Sequence, residues 1–214
     1  MIIGVSMRVD IHPARQERRD ALDQHWLLLM AACGYTPLLL PNHWPAVHSL
    51  LHRLPPDGLL FTGGNSLVSC GGDAPERDAM ENNLLQWAMT HRRPVLGVCR
   101  GMQLIQRHFQ VSLQEVGGHV GHRHRLNVTS GCTFEALLRG LHSVNAYHRF
   151  GSYTSAPPLS VLATAEDGVV MAVAHQDLPI YGQMWHSERE QPFQEAELRF
   201  IRACLSEPAT TARE

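Results

Sequence analysis

Residues 94–103 read Pro-Val-Leu-Gly-Val-Cys-Arg-Gly-Met-Gln: an apolar run that ends on a cysteine held between Gly97 and Gly101. The run has strand character and the residues after Arg100 have helix character, so Cys99 sits at a strand-to-helix junction. Such an elbow makes specific demands. The turn is tight and strained, its flanking positions must be small, and the start of the following helix favours a thiolate. Cys99 is therefore read as a candidate nucleophile and not as one more buried structural thiol.

The rest of the chain is organised around that unit. Ile2 to Val5 is a short buried strand, and Leu22, Trp26, Leu29, Met30 and Cys33 fall at helical spacing in a predicted helix from Glu17 to Cys33, closed by Gly34. Thr36 to Leu40 and Gly58 to Phe61 read as strands, with a helix over Pro45 to Leu54 between them. After a glycine-rich excursion over Ser69 to Pro75, Asp78 and Glu81 form a capping-box pattern that opens a helix to about His91, and Pro94 stops it. Alternation of strands and helices over the first ~110 residues predicts a parallel sheet covered on both faces. The second half instead offers short strands at Val111 to Val116, Arg125 to Thr129, Ser143 to Ala146, Ser160 to Ala165, Val169 to Ala174 and Ile180 to Met184. A brief helix falls near Phe134 to Leu138 and a terminal one over Phe193 to Leu205. The expected fold is a three-layer α/β sandwich, flavodoxin-like, with a mostly parallel central sheet and an antiparallel extension. At 214 residues, against ~150 for an average domain, a single domain over 1–206 is expected, with 207–214 as a flexible tail.

Composition removes several classes of function. All 18 basic residues are arginine, so neither a Schiff-base lysine nor a P-loop lysine is available. A net charge of -2 argues against nucleic-acid binding. The five cysteines are widely and irregularly spaced without a C-x-x-C pair, which suits free thiols rather than a disulfide framework or a zinc site. The start of the chain turns polar by Arg8 and no apolar run reaches ~18 residues. A cytoplasmic protein with no membrane span is expected; homodimerisation is left open.

A thiolate needs a base, and Trp185-His186-Ser187-Glu188 follows a predicted strand end. Side chains at i and i+2 of an extended chain share a side, which would let Glu188 orient His186 toward the thiol. An attacked carbonyl needs amide donors, and Thr62-Gly63-Gly64-Asn65 with the amide of Arg100 supply candidates at Gly64 and Arg100. His119, His122 and His124 with Arg123 and Arg125 form the densest basic cluster. Three imidazoles could bind a metal, but only Glu115 lies near as a carboxylate, so neither metal nor cofactor is assigned.

These motifs together resemble the class I glutamine amidotransferase-like proteins, and within them the γ-glutamyl-γ-aminobutyrate hydrolase type, peptidase C26. The resemblance runs from Ile2 to about Leu205. It is carried by residues 2–5, Thr62 to Asn65, Arg77-Asp78 with Glu81, Pro94 to Gln103, Val144 to His148 and Trp185 to Glu188. It implies Cys99 as nucleophile, His186 and Glu188 as its partners, and the amides of Gly64 and Arg100 as the oxyanion hole. The substrate, a small γ-glutamyl compound, is expected against Gly63, Asn65, Gln103, Asn145, Tyr147, His148 and Arg149. Two departures stand out. His-Ser-Glu replaces the usual His-Pro-Glu, and Asn145-Ala146-Tyr147-His148-Arg149-Phe150 replaces a stretch with paired histidines and a glutamine. The second variant, with Ala21 to Trp26, is more similar to the γ-glutamyl-CDP-amidate hydrolases of capsule phosphoramidate pathways. The rival readings are a glutaminase component delivering ammonia to a synthase and a non-enzymatic binding protein on the same fold. Arg100 weighs against the first, because amidotransferases more often carry an aromatic or aliphatic residue there.

Overall fold

The computed structural model describes residues 1–206; the tail expected at 207–214 lies outside the described residues. In chain order the elements are β1 (Ile2–Ser6), β2 (Arg8–His12), β3 (Glu17–Ala21), α1 (Gln24–Ala32), β4 (Thr36–Leu40), α2 (Trp44–Arg53), β5 (Gly58–Phe61), α3 (Pro75–His91), β6 (Val95–Val98) and α4 (Arg100–His108). There follow β7 (Gln114–Glu115), β8 (Val120–His124), β9 (Asn127–Val128), α5 (Glu135–Arg139), β10 (Val144–Tyr147), β11 (Phe150–Gly151), β12 (Leu159–Thr164), β13 (Val170–His175), β14 (Ile180–Gln183) and α6 (Glu195–Leu205).

Eight strands form one sheet in the order β4-β1-β5-β6-β14-β13-β12-β9. The first five are parallel and the last three antiparallel, as the alternation of elements predicts. Period-2 side-chain alternation divides two cores between its faces. Ile3, Val5, Leu60, Leu96 and Val98 pack with Trp26, Leu29 and Met30 of α1 and Phe200 and Ile201 of α6. Leu59, Phe61 and Val95 face the other way, onto Val47 and Leu51 of α2 and Met80, Leu84 and Leu85 of α3. β5 and β6 are buried along their whole length because both of their faces are covered.

Three expectations are corrected. Residues 17–21 are the second strand of a hairpin with β2, and the helix begins only at Gln24, with the Asp23 carboxylate accepting from the His25 amide as its cap. Every apolar position of the predicted helix lies at or after Ala21; Glu17-Arg18-Arg19-Asp20 offers no face to bury, so tertiary pairing decides its conformation. The helix predicted to open at Asp78 begins at Pro75, whose missing N–H suits a first turn. Asp78 and Glu81 serve as ion-pair partners of arginines instead. In the second half Val111 to Val116 contracts to the two-residue β7.

The sheet's C-terminal edge is brought into register by glycines. Gly97 of β6 lies between Phe61 of β5 and Gly182 of β14. A Cβ on Gly97 would lie 2.5 Å from the Gly101 carbonyl carbon, and one on Gly101 would lie 2.3 Å from the Phe61 carbonyl oxygen. Both contacts are with backbone, so neither can give way as a flexible side chain would. We therefore expect Gly101→Ala to lower unfolding free energy by more than about 3 kcal/mol, or to prevent folding. Urea denaturation at neutral pH measures it; a loss under about 1 kcal/mol would show that α4 can move off β5.

Candidate functional site

Cys99 has φ 52° and ψ -103°, a conformation that L-residues seldom adopt and that surrounding structure must hold. Its amide donates to the Gln183 carbonyl at 2.7 Å and its carbonyl accepts from the Gln103 amide at 3.0 Å. The sulfur is thereby fixed at the sheet's edge, in the floor of a cavity of about 300 Å³. Arg100 is the first residue of α4, so its amide has no acceptor within the helix.

Four buried or half-buried charges hold the two loops that meet there. Arg77 has no exposed surface and donates to the carbonyls of Thr62, Gly63 and Gly64 at 2.7, 3.1 and 2.7 Å. Because a trans peptide sets its N–H opposite its C=O, the bond to Gly63 turns the Gly64 amide away from Arg77. Glu81, also without exposed surface, accepts from Arg77 Nε at 3.0 Å and from Arg100, whose guanidinium also binds Asp78. Burial opposes the Glu81 charge, but Arg100 and Arg77 outweigh it and hold its carboxyl below the ordinary range. Burial brings Arg77 down to about 10, which leaves it charged at neutral pH.

His186 Nδ1 meets Glu188 Oε1 at 2.6 Å, with both side chains 3 % exposed. The contact expected between them is formed, but by a different route: Ser187–Arg189 is a 3-10 turn with His186 at its cap, not an extended strand. Among the described residues Nε2 has no hydrogen-bond partner of its own. Burial works against a charged ring, yet the Cys99 sulfur beside it and the Glu188 carboxylate raise the His186 pKa well above its ordinary value.

The cavity brings together Gly64, Asn65, Cys99, Arg100, Gln103, Tyr147, His148, Arg149 and His186 of the expected set, and adds Ser66, Val120, Phe150 and Arg189. Glu188 and Gly63 instead line an adjoining shallow groove with Arg8, Asp23 and Trp26. Gly63 makes room: a Cβ there would lie 2.6 Å from His186 Cε1. Asn145 does not line the cavity. Its Oδ1 accepts from the His186 amide at 2.8 Å and its Nδ2 donates to the His186 carbonyl at 2.9 Å and to Glu190 at 2.7 Å. Asn145 is thus a clamp on the histidine's backbone. The Asn65 side chain is likewise occupied, bridging the Val9 amide and carbonyl at 2.8 and 2.9 Å.

His148 is buried and pushed down to about 3 by that burial, so its ring is neutral. Nδ1–H donates to the Phe150 carbonyl at 3.1 Å, and Nε2 is left as an unpartnered acceptor. Gln103 Nε2 donates to the same carbonyl at 2.8 Å. Tyr147 carries the Arg189 guanidinium 4.3 Å over its ring. The basic cluster is dispersed. His119 binds Asp167 at 2.9 Å and stacks on His124, Arg123 pairs with Glu190 at 2.6 Å, and Arg125 lines a separate groove with Arg139. Arg123 and Arg125 therefore add nothing to the cavity wall. Among the described residues no three His, Cys, Asp or Glu side chains are grouped to hold a metal ion. No helix there is long and apolar enough to cross a membrane.

Known proteins resemble this chain in both sequence and fold. Residues 1–188 match the Peptidase C26 family. The chain is 27% identical over 195 residues to a γ-glutamyl-CDP-amidate hydrolase of Campylobacter jejuni, covering 89% of this chain and 91% of the relative. It is 31% identical over 201 residues to a γ-glutamyl-γ-aminobutyrate hydrolase of Escherichia coli O157:H7, covering 79% of each. Among solved structures, a GMP synthase protein from Thermoplasma acidophilum superimposes with a TM-score of 0.68 at 19% identity, over 95% of this chain and 92% of that one.

The ion network has a measurable weight. Glu81→Gln would leave two buried guanidiniums facing a neutral amide, and is expected to cost about 3–5 kcal/mol at pH 7. The sign with pH follows from the depressed carboxyl. Its stabilisation is full above the ordinary carboxylate pKa of about 4.3 and is lost as pH falls toward the lower folded value. The Gln variant should therefore lose stability less steeply on the acid side. Urea titrations from pH 7 to 3 report this; equal slopes for the two proteins would mean that Glu81 is not held ionised.

Proposed function

Since the chain belongs to the peptidase C26 family and is a glutamine amidotransferase-like hydrolase of γ-glutamyl amide bonds, we propose that Cys99, His186 and Glu188 carry the reaction and that the amine released is anionic, of the nucleotide phosphoramidate kind. Cys99 attacks the γ-glutamyl carbonyl carbon as a thiolate, and the oxyanion is received by the amides of Gly64 and Arg100. His186 Nε2–H, held by Glu188 through Nδ1, gives its proton to the leaving nitrogen as the C–N bond breaks. The same nitrogen then takes a proton from water, which attacks the thioester; the C–S bond breaks, glutamate is freed and the Cys99 thiolate beside a protonated His186 is restored. Water is the only co-reactant consumed.

The observation that carries the choice of leaving group is the charge of the cavity wall. Among the described residues no acidic side chain lines it, whereas Arg149 and Arg189 both do, Arg189 with its Nε 3.8 Å from Glu188 Oε1. Guanidinium forks match phosphate oxygens, and an ammonium would find no countercharge. A neutral acceptor suited to the glutamyl α-ammonium is present in the Gln103 side-chain oxygen, whose amide nitrogen is held by the Phe150 carbonyl.

The purified chain alone should hydrolyse a γ-glutamyl substrate, Cys99→Ala should abolish turnover, and Glu188→Gln should lower it by about 10³-fold with the fold intact. Activity that appears only when a synthase is added would favour a glutaminase instead. For specificity, kcat/KM for γ-glutamyl-CDP-amidate should exceed that for γ-glutamyl-putrescine and γ-glutamyl-γ-aminobutyrate. Arg149→Ala should shrink this preference by about tenfold. An equal fall for all three substrates would move Arg149 to the common glutamyl carboxylate and remove the basis for an anionic leaving group.

A further inference from the structure

The histidines of the basic cluster have no task in the reaction, yet one of them packs against the cavity wall. His119 has no exposed surface. Its ring centroid lies 4.6 Å from that of His148 and 4.1 Å from that of His124, the latter nearly parallel at 12°. Its Nε2 donates to Asp167 Oδ2 at 2.9 Å, the hydrogen being on the imidazole because a carboxylate only accepts. Asp167 belongs to the turn at 165–168 that joins β12 to β13. The contact therefore ties the main sheet to a segment 48 residues earlier in the chain. Glu166 of the same turn lies 4.0 Å from His124 Nδ1.

The wall itself is Tyr147 to Arg149, all three of which line the cavity. Residues 116–119 run beside it and are bonded to it at both ends. The Val116 amide donates to the Arg149 carbonyl at 2.9 Å, and the His148 amide donates to the His119 carbonyl at 2.9 Å. Between these bonds stand Gly117 and Gly118, around whose Cβ positions nothing lies within 4 Å. Two glycines without packing leave this strut free to bend, so its ends set its position. Val116 is buried at one end. At the other the anchor is His119, through its ring contacts and its bond to Asp167.

We propose that His119 is a positioning residue for leaving-group selectivity: tied to Asp167, it holds the Tyr147–Arg149 segment against the sheet, so that Arg149 stays at the wall where an anionic leaving group is received. His119 does not itself line the cavity. It acts through His148, whose amide it binds and whose ring it packs, and the acid at the far end of the linkage makes selectivity depend on a residue outside the cavity. This inference rests on the anionic leaving-group reading and adds to it the residues that keep its cation in place.

The test is a double-mutant cycle read as the preference in kcat/KM for γ-glutamyl-CDP-amidate over γ-glutamyl-putrescine. Asp167→Ala changes a turn side chain that is 44 % exposed. It should shrink the preference by about threefold, with the loss falling on KM for the phosphoramidate and not on kcat. In an Arg149→Ala background the same change should alter the preference by less than about 1.5-fold, because the cation it positions is gone. His119→Phe, which keeps a ring beside His148 and offers no nitrogen to Asp167, should repeat Asp167→Ala. An Arg149→Ala protein with the parent's preference would bring down the leaving-group reading and this inference with it. If Arg149→Ala shrinks the preference and folded Asp167→Ala or His119→Phe does not, only the role of His119 and Asp167 is overturned. A loss that falls on kcat, or that recurs in full in the Arg149→Ala background, overturns that role as well, because the linkage then acts elsewhere. Should one of the two variants fail to fold, the other decides alone.

Discussion

Glu81 is a carboxylate with no exposed surface that accepts from two arginines, and the geometry of the site depends on it. Arg77 carries its charge into the carbonyls of residues 62–64, while Arg100 is the residue after the elbow cysteine. One acid therefore ties the glycine loop to the strand–helix junction. A pair of buried guanidiniums would be prohibitive without it, since several kcal/mol of desolvation per ion must be offset by contacts of good geometry. The same bonds fix which way the peptide planes face, which is what amide donors require.

The opposite side of the cavity is organised by hydrogen bonds to backbone rather than by charge. Asn145 grips His186 at both its amide and its carbonyl, and Gln183 reaches the Trp185 carbonyl and the Ser187 hydroxyl. The ring is then placed by Gly63, which leaves it room, and by Glu188, which sets its tautomer through Nδ1. Cys99 holds a backbone conformation that L-residues seldom adopt, and its positive φ is secured by bonds from its own amide and carbonyl. Rigid strands on one side and a 3-10 turn on the other thus converge on one sulfur.

Fold class and the cysteine elbow are legible along the chain because both follow from local pattern. Apolar runs bounded by glycine and proline make strands whatever surrounds them, and glycines on both sides of Cys99 mark the elbow directly. The hairpin at residues 8–21 is not legible, because its second strand is a run of charged residues whose conformation is decided by pairing with β2 and by Arg18 binding Glu76 on α3. Asp78 and Glu81 show the same limit. Their spacing fits a capping box, yet the arginines they bind lie up to 22 residues away, and no local rule reports that distance.

The sequence by itself determined the alternation of strands and helices, the strand–cysteine–helix junction and the adjacency of His186 to Glu188, since each needs only neighbours within a few positions. Tertiary structure alone decided that Asn145 clamps a backbone instead of facing the cavity, and that Arg123 is spent on Glu190 while Arg149 and Arg189 stay at the cavity wall. These are contacts between segments distant in the chain. Their energies depend on burial and charge pairing, which exist only once the sheet has brought the segments together.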